Sequence, residues 1–121
     1  MKVAGFGFRQ SATLDSLRNA LAACDIADVV AIATPTDKAH NEAFASLAAD
    51  LSLPVITIEA EAMQAVKTAT QSSKVLEKRQ TGSVAEACAL VAAGPNAILL
   101  KSRNVSDDRL ATCAIAQGDP Q

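Results

Sequence analysis

Apolar residues arrive along this chain in short unbroken runs that alternate with longer stretches of helical period. The first run, Lys2-Val3-Ala4-Gly5-Phe6, is closed by glycine and reads as a buried strand. From Ser11 to Asp25 the residues Leu14, Leu17, Ala20, Leu21 and Cys24 fall on one helical face. Ser11 or Thr13 can cap that helix, and Asp15 suits its first turn. Val29-Val30-Ala31-Ile32-Ala33 is a second strand, continuous as in a sheet covered on both faces. Pro35 and Thr36 break it. Asp37 is then placed to cap a helix from about Lys38 to Leu51, with Ala39, Ala43, Phe44, Leu47 and Leu51 inward.

Leu53 to Ile58 predicts a third strand, Glu59 to Ala69 a helix opened by acidic residues, and Lys74 to Lys78 another short one. Ser83 to Ala93 has the clearest helical pattern, with Ser83-x-x-Glu86 as a capping box and Gly94-Pro95 as its stop. Ala97 to Lys101 and Ala111 to Ala116 are the final strands, around a polar turn at Asn104 to Asp108, and Gly118 to Gln121 forms a frayed tail. This alternation predicts an α/β fold, a three-layer α/β/α sandwich on a mainly parallel sheet of about five strands. The last two strands lie too close for a crossover helix, which predicts an antiparallel edge strand.

Composition narrows the picture. At 121 residues, with no repeat or interdomain linker, residues 1–121 read as a single domain. Half the residues are hydrophobic but only 2% are aromatic, with no Trp or Tyr, so the core must be built from Ala, Val, Ile and Leu. Alanine buries little area per residue, so self-association into a homo-oligomer would add useful stability. The formal charge is −2, and no basic run interleaves with aromatics, which argues against nucleic acid as a partner. No apolar stretch is long enough to span a membrane, and the N-terminus lacks the layout of a signal peptide. Three widely spaced cysteines, Cys24, Cys88 and Cys113, read as reduced thiols in the cytoplasm.

Candidate chemistry gathers where strands end, because ligands of open α/β sheets bind outside the carboxyl ends of the strands. Gly5 and Gly7 permit close backbone approach to a ligand, although a plain turn accounts for them as well. Gln10 stands where a dinucleotide fingerprint needs glycine, and no acidic residue ends the second strand, so no nicotinamide or flavin cofactor is expected. Arg9 can grip a carboxylate with both arms of its guanidinium. Thr34, Thr36 and Lys38 follow the second strand. Lys38 would open a helix where its charge opposes the macrodipole, which an adjacent anion explains and simple solvation also allows. Ser83, Lys101 and Arg103 complete a rim suited to an anionic small molecule. His40 is the lone histidine, and no ligand spacing supports a metal site. Glu42, Glu86, Asp37 and His40 are titratable, but no catalytic constellation assembles from them.

Taken in order, these segments resemble the CobE family, which is also the C-terminal domain of the CbiG proteins of cobalamin biosynthesis. The resemblance covers nearly the whole chain. It rests on Gly5-x-Gly7-x-Arg9, on Ile32-Ala33-Thr34 through Asp37-Lys38 to Glu42, and on Glu59-Ala60-Glu61-Ala62-Met63. It continues through Ser73-x-Val75, Gly82-Ser83-Val84-Ala85-Glu86-Ala87, Leu100-Lys101 and Ala111-Thr112-Cys113-Ala114-Ile115-Ala116. It implies a cytoplasmic protein of corrin-ring construction whose ligand is a precorrin-type tetrapyrrole intermediate, with other pathway enzymes as possible partners. CbiG proteins open a lactone, but that chemistry is associated with a portion upstream of this domain. A chain starting at its first strand is expected to lack it. A carrier or accessory role is the leading expectation; an enzyme acting on the intermediate and a docking partner of a larger pathway enzyme are its rivals.

Overall fold

Runs of β-branched and small residues place five strands in one sheet. The computed structural model describes residues 2–25, 28–59, 80–94 and 97–118, with side chains from residue 84 onward in the third segment. The strands are β1 (Lys2–Phe8), β2 (Val29–Pro35), β3 (Val55–Ile58), β4 (Ile98–Val105) and β5 (Ala111–Gln117), in the order β3-β2-β1-β5-β4. The β1–β2 and β2–β3 pairings are parallel, whereas β5 runs antiparallel to both β1 and β4. The expected antiparallel edge is therefore the β4–β5 hairpin. Its edge strand β4 bulges between Leu99 and Lys101 and again between Lys101 and Asn104, which interrupts the row of free backbone groups that an edge otherwise presents.

Among the described residues three α-helices cover the sheet: α1 (Leu14–Cys24), α2 (Glu42–Leu51) and α3 (Gln80–Ala93). Strand alternation sends Ala4, Phe6, Phe8, Ile32, Cys113 and Ile115 to one face, where Leu17, Ala20 and Cys24 of α1 and Phe44 and Leu47 of α2 meet them. Val3, Ala31, Ala33, Ile58 and Ala116 point the other way, onto Cys88, Ala89 and Ala93 of α3. The three layers follow.

Helix boundaries are set by side chains that satisfy orphan amides. Thr13, not Ser11, caps α1 by accepting from the Ser16 amide, while the Ser16 hydroxyl accepts from the Thr13 amide. Asp37 does not cap α2. Thr36–Lys38 forms a short 3-10 turn, and Asn41 is the cap, its Oδ1 accepting from Ala43 at 2.8 Å and Phe44 at 3.2 Å. Helix α3 also departs from expectation. It begins at Gln80, so Ser83 is its fourth residue rather than the residue before its start. Glu86 is instead fully buried and accepts from the Arg103 amide of β4 at 3.1 Å. Gly94 ends α3 at φ +106°, a left-handed stop open to glycine. Strands β1, β2 and β4 run two to four residues further than their apolar runs, since pairing with neighbours carries them on. The helices expected over 59–69 and 74–78 fall, apart from Glu59, outside the described residues.

Candidate functional site

Strands β1, β2 and β3 end together at Phe8, Pro35 and Ile58, and the start of β5 joins them, with Ala111 opposite Phe8. This rim is also where α1 and α2 begin. The chain's three phenylalanines lie in one column beneath it. Phe44 of α2 meets Phe6 edge-on at 5.8 Å and stacks on Phe8 at 5.6 Å, and the Lys38 ammonium stands 5.7 Å over the Phe8 ring. Lys38 is thus held by an aromatic face at the end of β1. Because α2 starts only at Glu42, its charge does not sit in that helix's first turn.

Arg9 follows Phe8 directly. Its amide is fixed by the Leu110 carbonyl at 2.8 Å and its side chain is exposed. Thr36, also exposed, donates to Glu59 Oε2 at 3.0 Å. Beside them an open groove of about 440 Å³ runs between the β1–α1 connection and the first turns of α2, lined by Gln10, Ala12, Asn41, Glu42, Ala43 and Ser46. The turn between β4 and β5 forms the far wall of this rim. Asp108 there accepts from the hydroxyls of Ser106 and Ser16 and from the Leu110 amide. Those bonds hold its carboxyl below its ordinary value, the Ser106 hydroxyl contributing most. Asn19 and Asp107 add a second clasp between α1 and the turn.

The structure brings Arg9, Thr36 and Lys38 to one rim. Gly5 is not part of it: a Cβ there would stand 2.2 Å from the Ala85 carbonyl oxygen and 2.5 Å from the Ala89 nitrogen, so α3 fills the space above it. Gly7 is buried in β1, its carbonyl accepting from Thr112 Oγ1 at 3.1 Å. Thr34 is buried too and donates to the Phe6 carbonyl at 3.2 Å. Ser83 is the fourth residue of α3, so a helix N-terminus at Ser83 cannot supply the expected positive pole. Lys101 and Arg103 lie on β4, two strands from β1 in the sheet order and so roughly 10 Å away. Lys101 is exposed at the level of Ile115, well short of the rim. The half-buried Arg103 sits at the β4 bulge beside α3, its Nη1 buried without a hydrogen-bond partner.

Several rim residues escape a reading of strand ends. Gln10 and Ser46 enter through groove shape, Asn41 through its cap, Glu59 through Thr36, and Arg109 through the β4–β5 turn, where it takes φ 62°. The turn signal Ser106-Asp107-Asp108 marks Arg109 in the sequence, but only the pairing of β5 with β1 shows that it neighbours Arg9. Asp37 faces differently, its charge helping burial to raise the Cys88 thiol to about 12. Among the described residues no cluster of three His, Cys, Asp or Glu could hold a metal, and no helix is long and apolar enough to cross a membrane.

Known proteins bear on this geometry. A search of the curated proteins found no match. Among solved structures, the chain is similar to CobE, a protein from the cobalamin (vitamin B12) biosynthetic pathway, with 26% identity and a TM-score of 0.82 over 100% of this chain and 92% of that one. It is also similar to the cobalamin biosynthesis protein chiG from Agrobacterium tumefaciens, at 32% identity and TM-score 0.75 over 99% of this chain and 100% of that one. A putative cobalamin biosynthesis protein G homolog from Sulfolobus solfataricus shares the fold at 17% identity and TM-score 0.70, over 98% of this chain but only 37% of its own. The family described as "Cobalamin synthesis G C-terminus" matches residues 2–116, nearly the full extent of the sheet and its helices, and the chain belongs to that family.

Proposed function

We propose that this protein binds a carboxylate-rich, precorrin-type tetrapyrrole intermediate in cobalamin biosynthesis, as a carrier or accessory factor. Family membership supplies the pathway. The observation that carries the ligand reading is the pairing of Lys38, held over Phe8, with Arg9 on the next residue of the chain, beside an open polar groove. Two cations at the end of one strand match the acetate and propionate arms that such a macrocycle projects from its edge. Arg9 offers a two-pronged carboxylate contact and Lys38 a point charge. Thr36 and the groove's Gln10, Asn41 and Ser46 add neutral hydrogen-bonding groups. Lys101 and Arg103 reach other arms only if the ring extends across β5 to the edge strand, and Gly7 and Thr34 tie the strands together beneath the rim. The cytoplasm is the compartment in which three free thiols persist.

The test is a titration of the purified protein with late precorrin intermediates, followed by the absorbance of the ring. Arg9→Ala with Lys38→Ala removes two solvent-accessible charge contacts, together worth about 1–2 kcal/mol, so affinity is expected to fall roughly tenfold with the fold intact. Unchanged affinity would sink the rim as the binding surface. A new chromophore during the titration would replace the carrier with an enzyme.

A further inference from the structure

Arg109 sits in the turn between β4 and β5, beside two acids that are already engaged. Asp108 accepts from the Ser106 and Ser16 hydroxyls and from the Leu110 amide. Asp107 accepts from the Asn19 side-chain amide. Although these two aspartates precede it directly, Arg109 is exposed and makes no ion pair among the described residues. Its backbone is fixed all the same. The Arg109 amide donates to the Ser106 carbonyl at 2.9 Å, and its φ of 62° is a left-handed conformation uncommon for a long side chain.

Strand pairing brings this residue to the end of β1. Phe8 pairs with Ala111, and the next step of the same register is the bond from the Arg9 amide to the Leu110 carbonyl at 2.8 Å. Arg109 is one residue beyond that carbonyl, which places its Cα within roughly 10 Å of the Arg9 Cα. On the other side of Arg9, the Lys38 ammonium stands 5.7 Å over the Phe8 ring. The three cations thus follow β2, follow β1 and precede β5, which are adjacent strands in the sheet. Neighbouring strands lie about 4.8 Å apart, so the row spans roughly 10 Å of backbone along the rim. Arg9 and Lys38, like Arg109, make no ion pair among the described residues. In a chain with 13 acidic and 11 basic residues, three cations are here left in a row against their mutual repulsion.

From this row we infer that Arg109 is a ligand-binding residue of the rim, and that Lys38, Arg9 and Arg109 together select a ligand with two or more carboxylates along one edge. Arg109's role rests on the same reading of the rim as a binding surface, and makes that surface selective for carboxylate number. A single carboxylate is satisfied by the two arms of the Arg9 guanidinium, which leaves Arg109 unmatched at the far end of the row. Only a ligand whose carboxylates are spaced along its edge engages both ends at once. The row also has a direction, with a point charge beside β2 and planar forks at β1 and β5. Gln10, next to Arg9 in the chain, lines the groove alongside and adds a neutral hydrogen-bonding group.

The experiment titrates the full chain into uroporphyrin, a stable macrocycle edged with acetate and propionate arms, and follows the absorbance of the ring at low and moderate salt. Arg109→Gln should raise Kd about three- to fivefold and flatten its salt dependence, with the midpoint of thermal unfolding unchanged. Arg109→Lys keeps the charge and should retain most of the affinity. Lys2→Gln, at the opposite end of β1, should bind as the unsubstituted protein does. Acetate at a matched carboxylate concentration should fail to displace the ring. Unchanged affinity in Arg109→Gln, while Arg9→Ala with Lys38→Ala weakens binding, would overturn the role of Arg109 and leave the rim standing. An equal loss in Lys2→Gln, or displacement by acetate, would likewise overturn selection by the row. No binding by the unsubstituted protein would overturn both the row and the rim.

Discussion

Replacing Gly5 with alanine tests the close approach of α3 to β1. In β1, Gly5 pairs with Ala33 on one side and Ala114 on the other, so the strand cannot slide away from the helix above it. A Cβ would stand 2.2 Å from the Ala85 oxygen, 2.5 Å from the Ala89 nitrogen and 3.0 Å from the Ala89 Cα. All three are backbone atoms, and no rotamer change relieves them. Ordinary contact near 3.5 Å requires α3 to retreat by about 1 Å, loosening Val3, Ala33, Cys88 and Ala89 together. Overpacking of this kind costs about 1–3 kcal/mol, and a backbone clash on a strand held from both sides belongs at the top of that range. At about 3 kcal/mol, the midpoint of thermal unfolding should fall by roughly 10–15 °C. Far-UV circular dichroism is the appropriate probe, since the chain has no Trp or Tyr for fluorescence. A loss below about 0.5 kcal/mol in the ligand-free protein would refute the reasoning, because it would mean that α3 does not press on β1 at this point.

Other substitutions separate the structural account from the sequence pattern. Asn41→Ala should cost about 1 kcal/mol by exposing the Ala43 and Phe44 amides, whereas Asp37→Ala should change stability by less than about 0.5 kcal/mol; urea midpoints compare them. Asp108 has a carboxyl held below 3.8 in the folded chain, so its stabilising effect is full above that value and is lost as pH falls through the lower, folded one. Asp108→Asn should thus be less stable than the parent at about pH 7, with the gap closing below about pH 4 in the same urea assay. Burial and the Asp37 charge raise Cys88 to about 12, so maleimide should leave it unmodified at about pH 8 until the protein unfolds.

Much of the fold was legible because short apolar runs and helical spacing are local properties. Val29–Ala33 is a strand by its own composition, and Leu17, Ala20 and Cys24 make one face without reference to anything distant. Errors arose where two segments compete for the same amides. Asp37 and Asn41 are both plausible caps, and the 3-10 turn at Thr36–Lys38 decides for Asn41. Glu86 fits a capping box in sequence, but its carboxylate lies opposite the Arg103 amide, a partner 17 residues away that no local rule reaches. The candidate rim was legible at Arg9, Thr36 and Lys38, which follow their strands immediately. It was not legible at Arg109 or Glu59, which arrive there through strand order.

The two faces of the sheet explain why the groove opens where it does. On the α3 side Gly5 meets Ala85 and Ala89, which brings helix and strand backbones close together at that point. On the α1–α2 side the phenylalanines hold the layer apart: Phe44 reaches from α2 to both Phe6 and Phe8, which sets α2 at the distance of an aromatic ring from the sheet. The space between Ala12 and Ala43, at the first turns of α2, is left open as the groove. Chain composition is thus turned into position. An Ala-rich chain with only three phenylalanines places all of them on one face, at the end of β1, beneath Lys38. The same rings that hold the groove open fix one of the two cations beside it, so Phe8→Leu should both narrow the groove and release Lys38, weakening any anion bound at this rim while Arg9 stays in place.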